Sequence, residues 1–133
     1  MTQKLVSRAI IYDAKGNILL ARRIGNTGHG QWALVGGKPE GEEAPTETII
    51  REVKEETNLV FRPMLFKEEL DTTTEPGVTW KVSYFSGTAQ GTLKLHAKEN
   101  SEAQYFPLRD LAQTDIAFGH RRILEEFFAS RKQ

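Results

Sequence analysis

The order of short apolar runs and helix-length amphipathic stretches is the feature that most constrains the fold of this chain. One amphipathic stretch starts near Pro45 and a second spans residues 119–132, and several β-branched runs bounded by turn residues surround them. Strands that outnumber helices in this way favour an α+β fold in which helices cover a mixed sheet. At 133 residues the chain has the length of one such unit, and we expect residues 1–133 to form a single domain.

Most of the remaining chain has the pattern of short strands. Two strands flank residues 13–17, which contain the aspartate, glycine and asparagine that tight turns favour. A short apolar run leads into Gly36 and Gly37, and an acidic loop with glycine and proline follows. The run at residues 91–97 has the weakest strand pattern. The expected strand regions are residues 4–23 on both sides of the turn, 31–35, 59–70, 78–89, 91–97 and 103–108.

The composition excludes several classes of function. Lysine plus arginine number 18 and aspartate plus glutamate also number 18, so no basic surplus indicates nucleic-acid binding. The chain has no cysteine, which excludes disulfides, thiolate catalysis and cysteine-bound metals. His29, His96 and His120 lack the spacing of a zinc site. No run has the length of a membrane span or the pattern of a signal peptide, so we expect a cytoplasmic protein without a membrane partner.

The ends of the first helix are predicted from residues with known positional preferences. Proline is well tolerated at the first helical position, which places the start at Pro45 and makes Ala44 a poor N-cap. Asn58 is a suitable stop, because asparagine accepts the left-handed conformation that commonly follows a helix.

Three glutamates, Glu52, Glu55 and Glu56, share one face of this helix because three and four residues separate them. They lie near the carboxyl end, where the helix dipole disfavours acids, and Glu52 and Glu56 repel each other. A solvated acidic surface is the common explanation for such a face. A hard divalent cation is the alternative, because magnesium binds carboxylate and carbonyl oxygens and the preceding pair Gly36–Gly37 allows close backbone approach. Zinc or copper would recruit histidine or cysteine instead.

The segment "GKPEGEEAPTETIIREVKEETNL", residues 37–59, resembles the Nudix box. The box is a glycine, a glutamate, an Arg-Glu pair, an aliphatic residue, a Glu-Glu pair, a glycine and an aliphatic residue at fixed spacings. Asn58 stands where the box has its second glycine, and we expect the same left-handed turn there. A match at this many fixed positions is far more specific than a lone glycine motif. The matching residues are Gly37, Glu43, Arg51, Glu52, Val53, Glu55, Glu56 and Leu59.

The resemblance extends to both sides of the box. The segments "NILLARR" and "QWALVGG" resemble the usual Nudix lead-in, with Val35 in place of a frequent proline, and "SEAQYFPLRDL" resembles a later glutamate-then-aromatic segment. The resemblance implies an α/β/α sandwich around a mixed β-sheet.

The resemblance also implies a metal-dependent site. It assigns Glu52, Glu55 and Glu56 as metal ligands, with the carbonyl of Gly37 as a further ligand. Magnesium is the expected cofactor, and manganese is a possible substitute. The general base differs between members of the family, so Glu56, Glu55 and Glu102 are the catalytic candidates. Glu102 is expected on a loop that could fold over the site, and its alternative is an ordinary surface glutamate.

Arginines near the box have two predicted roles. Arg51 is expected to be structural, pairing with Glu55 one turn later or with Glu43, and Glu43 is expected to support the site. Arg22 and Arg23 end a strand before a loop, and strand alternation directs only one of them towards the site. We assign Arg23 as the substrate-binding residue, because arginine suits phosphate contacts.

Aromatic side chains could stack on a base, although most aromatic residues of a small protein belong to its core. Trp32, Trp80, Tyr84 and Phe118 are the options. The segment around His120 resembles part of some ADP-ribose-type members, but an ordinary histidine at a helix start explains it as well.

The resemblance implies a hydrolase that cleaves the diphosphate bond of a nucleoside diphosphate linked to another group, such as ADP-ribose or a nucleotide sugar. One alternative is a MutT-like enzyme that releases pyrophosphate from a nucleoside triphosphate. A second is a nucleotide-sensing module without catalysis, which the intact set of box carboxylates disfavours. The partner is a small-molecule nucleotide, and exposed strand edges near the amino terminus could form a homodimer.

Overall fold

The computed structural model describes residues 2–25, 29–95 and 100–131. Three helices are α1 (Pro45–Thr57), α2 (Leu108–Leu111) and α3 (His120–Arg131) within these ranges. The strands of the same ranges are β1 (Thr2–Ile11), β2 (Ile18–Arg23), β3 (Trp32–Ala33), β4 (Val35–Gly37), β5 (Val60–Phe61), β6 (Met64–Asp71), β7 (Val78–Gly87), β8 (Ala89–Gln90) and β9 (Asn100–Phe106).

The strands form one mixed sheet, one antiparallel sheet and a short pair. The mixed sheet has the order β4-β1-β7-β6, in which β1 and β7 are parallel and the other neighbours are antiparallel. The second sheet has the order β3-β2-β9, and β5 pairs with β8. None of the helices in the described ranges is long and apolar enough to cross a membrane.

Alternating side chains of the strands feed two separate cores. Ala9 and Ile11 of β1 pack with Ile49 and Val53 of α1, whereas Ile10 between them packs on the side of α3. The same alternation holds along β2, where Leu19 belongs to the α1 core and Leu20 to the α3 core. The strands therefore form a central layer between α1 and α3, which confirms the expected α+β sandwich with a mixed sheet.

The boundaries of α1 confirm the sequence prediction at both ends. Pro45 is the first helical residue and Ala44 is the N-cap, without a side-chain bond from Ala44. Glu47 compensates at this end, because its Oε1 accepts a hydrogen bond of 2.9 Å from the Ala44 N–H. Asn58 adopts the left-handed conformation with φ 67°, so it does replace the glycine of the box in its conformational role.

Several strand predictions need correction. The two strands around residues 13–17 are present, but β1 and β2 enter different sheets and meet only at a bridge between Tyr12 and Ile18. Leu34 divides the run at residues 31–35 into β3 and β4, and Arg62–Pro63 divide the run at 59–70 into β5 and β6. The last strand starts at Asn100, before the predicted position 103.

The predicted strand at residues 91–97 is wrong in its described part, since residues 91–95 form no strand, and residues 96–97 lie outside the described ranges. The end of α1 binds this segment instead. The Lys94 N–H donates to the Thr57 carbonyl at 2.9 Å, and the Asn58 amide donates to the Thr92 carbonyl at 3.1 Å. Backbone groups bonded to a helix end are not available for a sheet ladder.

Candidate metal-dependent active site

Two glycines bring the edge of the mixed sheet against the site. A Cβ atom on Gly37 would lie 2.4 Å from the carboxyl carbon of Glu52, and a Cβ on Gly36 would lie 2.0 Å from the Ser7 carbonyl oxygen and 2.9 Å from Arg8 Cδ. Both distances are too short for a side chain. At Gly36 the obstacle is the backbone of β1, so close packing requires glycine there, whereas a side chain at Gly37 would displace the flexible carboxylate end of Glu52.

Arg51 organises the carboxylates of the box. Its Nε and Nη2 atoms donate to the two oxygens of Glu43 at 2.8 and 3.0 Å, and its Nη1 donates to Glu52 Oε1 and Glu55 Oε2, each at 3.0 Å. Nη2 also donates to the Lys38 carbonyl at 2.9 Å. Both ion pairs expected for this arginine, with Glu43 and with Glu55, are present. These hydrogen bonds hold the pKa of Arg51 above its ordinary value.

Glu43 connects the arginine to the loop before α1. The hydrogen bonds from Arg51, followed by the bond of 2.9 Å from the Glu40 N–H, lower the pKa of Glu43 to about 2. The Thr48 hydroxyl also donates to Glu43 at 3.2 Å. This carboxylate is fully committed to bonds within the protein, which suits the supporting role that we predicted for it.

Glu56 lies apart from the arginine. The Asn100 side-chain amide donates to Glu56 Oε1 at 2.9 Å, and the other carboxylate oxygen, Oε2, is buried. Asn100 itself is 3% exposed at the start of β9. The sequence analysis missed this residue, because a polar residue before a short strand carries no signal until the sheet register places it beside α1.

Glu52 of α1 lies against Gly37 of β4, and Glu55 and Glu56 follow it on the same helix. Glu52, Glu55 and Glu56 with the Gly37 carbonyl are the donor chemistry of a hard divalent cation, and the absence of a side chain on Gly37 keeps its backbone close to Glu52. Across the described ranges, no three acidic or histidine side chains are already gathered as a metal site. Arg51 accounts for this arrangement, since its Nη1 atom holds Glu52 and Glu55. The residues fit a cation that replaces these two contacts.

Glu102 is not on a loop, contrary to the expectation. It lies in β9 opposite Arg22 of β2, and the two side chains form an ion pair of 3.1 Å. A bulge follows, so that Arg23 is paired with Asn100 and Ser101 is the extra residue. The bulge therefore interrupts the regular alternation of side chains along β9 between Asn100 and Glu102. Of these two residues, Asn100 is the one that contacts the box.

Arg23 is paired with Asn100, which contacts Glu56, whereas Arg22 is engaged by Glu102. The Arg23 guanidinium stacks on the Phe118 ring at 5.0 Å from its centroid. Phe118 is 46% exposed and has a positive φ of 60°, an uncommon conformation for an aromatic residue. The charge of Arg23 also acts on two neighbours, half-buried Arg8 and buried His120.

His120 starts α3 and is buried. Its Nδ1 accepts a hydrogen bond of 3.0 Å from the Leu34 N–H, between β3 and β4. Burial, followed by the charges of Arg8 and Arg23, lowers the pKa of His120 to about 3. A neutral imidazole that anchors a loop to a strand is the structural role that the helix-start interpretation implies.

Arg8 is a second residue that the sequence analysis missed. It is paired with Gly36 on one side and Tyr84 on the other, within the central strand β1. Burial, followed by the charge of Arg23, lowers the pKa of Arg8, and the charges of Glu56 and Glu52 act in the opposite direction. A lone arginine in the apolar run "LVSRAII" was the available signal.

The aromatic candidates differ in environment. Trp32 packs edge-on against Phe106 at 4.8 Å and Tyr84 is buried, so both belong to the α3 core. Trp80 lies between two ammonium groups, with Lys4 at 5.4 Å and Lys38 at 5.2 Å from its ring centroid. Trp80 and Phe118 therefore remain the aromatic side chains available to a ligand.

Comparison with known proteins agrees with this geometry. The sequence model of the NUDIX domain matches residues 2–127. An ADP-ribose pyrophosphatase of Methanocaldococcus jannaschii is 30% identical over 122 residues, which cover 88% of this chain and 69% of that protein.

Solved structures show the same fold. The MutT protein of Methanosarcina mazei is 28% identical with a TM-score of 0.83, covering 99% of this chain and 97% of that one. The NUDIX domain of Shewanella oneidensis NrtR, solved in complex with ADP ribose, is 20% identical with a TM-score of 0.85, covering 100% of this chain and 90% of that one. This chain belongs to the Nudix family, and it is a Nudix pyrophosphohydrolase.

Proposed function

We propose that this enzyme hydrolyses the diphosphate bond of a nucleoside diphosphate linked to a second group, with ADP-ribose as the first substrate to test. The observation that carries the proposal is the acidic face of α1, where Arg51 forms ion pairs with Glu52 and Glu55 and with Glu43 of the preceding loop. The similarity to an ADP-ribose pyrophosphatase supports the choice of substrate. Magnesium is the proposed cofactor, with manganese as a substitute, because the available donors are hard oxygens.

The box residues would have two functions, which are cation binding and proton transfer. Glu52, Glu55, Glu56 and the Gly37 carbonyl would hold divalent cations, which supply neutralisation of the diphosphate oxygens and activation of an attacking water. Glu56 is our candidate for orienting that water and accepting its proton, because Asn100 fixes one oxygen of its carboxylate. Glu55 and Glu102 are the other candidates.

The remaining residues would position these groups. Arg51 and Glu43 fix the loop and helix against each other, so that Glu52 stays beside Gly37. Arg23 would contact a substrate phosphate from the end of β2, where its guanidinium already lies against exposed Phe118.

A MutT-like activity is the second candidate. The similarity in sequence and fold to the MutT protein of Methanosarcina mazei favours it. This activity would use the same box but release pyrophosphate from a nucleoside triphosphate, so the products separate the two proposals.

The testing experiment is a product assay with magnesium. The panel contains ADP-ribose, nucleotide sugars, dinucleoside polyphosphates, and normal and oxidised nucleoside triphosphates, and mass spectrometry identifies the products. A nucleoside monophosphate plus a phosphorylated partner supports our first proposal, whereas pyrophosphate supports the MutT-like activity. Binding without turnover across the panel contradicts both and favours a sensing module.

A homodimer is a further proposal that one strand edge supports. β1 pairs with β7 along its whole length, but with β4 only over Ser7–Ala9. The stretch Thr2–Val6 thus has no strand on its second side within the described ranges, and it could pair with the same stretch of another copy. Light scattering at several protein concentrations distinguishes the dimer from a monomer.

A further inference from the structure

Arg8 is the cation in the described part of the chain whose surroundings are least suited to it. Arg8 lies two positions before Ile10 on β1, so its side chain points towards the same α3 face of the mixed sheet. Burial and the nearby Arg23 both lower the pKa of Arg8. A guanidinium in such a position loses hydration and is repelled by its neighbour, both of which cost free energy unless an anion compensates.

No residue within 2–25, 29–95 and 100–131 forms a direct ion pair with Arg8, although the charges of Glu56 and Glu52 act on it through space. The Arg8 guanidinium forms no hydrogen bond and no ion pair with any residue of these ranges. This contrasts with Arg51, Arg121 and Arg122, whose guanidinium groups each donate at least two hydrogen bonds. Arg8 is therefore not a structural cross-link of the kind that these three provide.

The charged neighbours of Arg8 act on it through space and not through a direct bond. His120 is uncharged at neutral pH, since burial lowers its pKa to about 3. Glu52 is held by Arg51, and Asn100 donates to Glu56. The charges of Glu52 and Glu56 reach Arg8 through space, but both carboxylates are already bonded elsewhere.

The absence of a side chain on Gly36 makes room for the stem of Arg8. Gly36 is opposite Arg8 on the edge strand β4, and a Cβ there would come within 2.9 Å of Arg8 Cδ. The position next to Gly36 is Gly37, whose missing side chain faces Glu52. The two glycines of β4, which have no side chains, therefore lie between Arg8 and the box carboxylates.

We propose that Arg8 binds a phosphate group of the substrate and acts as a specificity-determining residue. This inference rests on the proposed function, because it takes the diphosphate-linked nucleotide as the ligand. A planar guanidinium can donate two parallel hydrogen bonds to phosphate oxygens, and the bound phosphate provides the negative charge that the protein does not. Arg8 and Arg23 then contact the same anionic part of the ligand, which removes their mutual repulsion.

The test compares Arg8→Gln with the control Arg109→Gln, which removes the same charge from a side chain that is 83% exposed. On the substrate found by the product assay, we expect Arg8→Gln to raise KM about 10- to 100-fold while kcat changes less than about threefold. Calorimetry with the α,β-methylene analogue of ADP-ribose and magnesium should show the same fold-increase in Kd. Arg109→Gln should leave both constants at the wild-type values.

The Tm of the ligand-free enzyme distinguishes this binding role of Arg8 from a structural role, because the two roles predict Tm changes of opposite sign. Removal of a half-buried charge that has no ion pair and is repelled by Arg23 should raise the Tm of the ligand-free enzyme, whereas loss of a structural cross-link would lower it. Wild-type KM and Kd in Arg8→Gln, or a lower Tm without an affinity change, overturn the proposal. If Arg8→Gln does not fold, Arg8→Met carries the same expectations.

The failure of this proposal differs from a failure of the proposed function. A wild-type enzyme that neither cleaves the panel nor binds the analogue contradicts the proposed function and, with it, the ligand assigned to Arg8. A wild-type enzyme that is active, together with an Arg8→Gln variant of unchanged KM and Kd, contradicts the role of Arg8 alone.

Discussion

The box and the contact between α3 and β6 each have a cluster of ion pairs, and the two clusters differ in charge balance. Between α3 and β6, Arg122 and Lys67 face Glu69 and Glu126, two cations for two acids. On the box, Arg51 faces Glu43, Glu52 and Glu55, three acids for one cation. The positive and negative charges of the first cluster balance each other. The second retains an excess of negative charge, which a divalent cation would offset.

The two clusters also differ in what their arginines hold. Arg122 bonds side chains only, joining a helix to a strand at the protein surface. Arg51 bonds the Lys38 carbonyl as well as three carboxylates, so it fixes the loop that follows Gly37. Geometry alone would rank both as stabilising networks. The net charge is the property that separates a site from a surface contact.

The largest expected difference between the clusters is in catalysis. Glu56→Gln should lower kcat about 100- to 10,000-fold, because the residue would both bind the cation and accept a proton. Glu126→Gln in the balanced cluster should change kcat less than about twofold. The Tm increase produced by magnesium should also be smaller in Glu56→Gln than in the wild type.

A third variant, Glu102→Gln, completes this comparison. If it lowers kcat as strongly as Glu56→Gln while the magnesium-induced Tm increase is retained, the base is Glu102 and our assignment is incorrect. A magnesium effect on Tm that is equal in the wild type and Glu56→Gln would contradict the metal site at this residue.

The second difference concerns stability. Arg51→Gln should lower the free energy of unfolding by about 1 to 3 kcal/mol, because Glu43 is partly buried and loses bonds from a charged donor. Arg122→Gln, at a more exposed position, should lower it by about 0 to 1 kcal/mol. Urea unfolding of both variants measures the contrast. Equal losses would show that the box cluster has no special structural role.

The smallest expected effect is on acid stability. The pKa of Glu43 is about 2, below its ordinary value of 4.5, so its stabilising contribution is complete above pH 4.5 and is lost as the pH falls towards 2. The pKa values of Glu69 and Glu126 are also lowered, by their arginine and lysine partners, so the balanced cluster weakens on the acidic side too. Glu43→Gln should flatten the decrease of Tm between pH 4.5 and 2. A decrease as steep as that of the wild type would mean that other carboxylates dominate.

Local features of the chain were the ones that the sequence predicted well. The start of α1 at Pro45, the left-handed turn at Asn58 and the shared face of Glu52, Glu55 and Glu56 depend only on residues near them in sequence. They could be predicted because capping preferences and the helical period act over a few residues.

Features that depend on sheet register could not be predicted. Asn100 meets Glu56 because a bulge in β9 alters the alternation beside Arg23. Arg8 becomes significant only when β1 is placed between β4 and β7. The strand expected at 91–97 is absent from its described part, residues 91–95, for a related reason, since the end of α1 binds backbone groups there.

The glycine pair Gly36–Gly37 has a consequence for the shape of ligand that the enzyme can hold. β4 is the outermost strand of its sheet, and its two glycines form a low rim with Arg8 on one side and Glu52 on the other. A molecule that contacts both Arg8 and Glu52 must bend over this rim within the length of one peptide unit. Two groups joined by a rotatable diphosphate can fold across it, whereas a rigid planar molecule can occupy only one side.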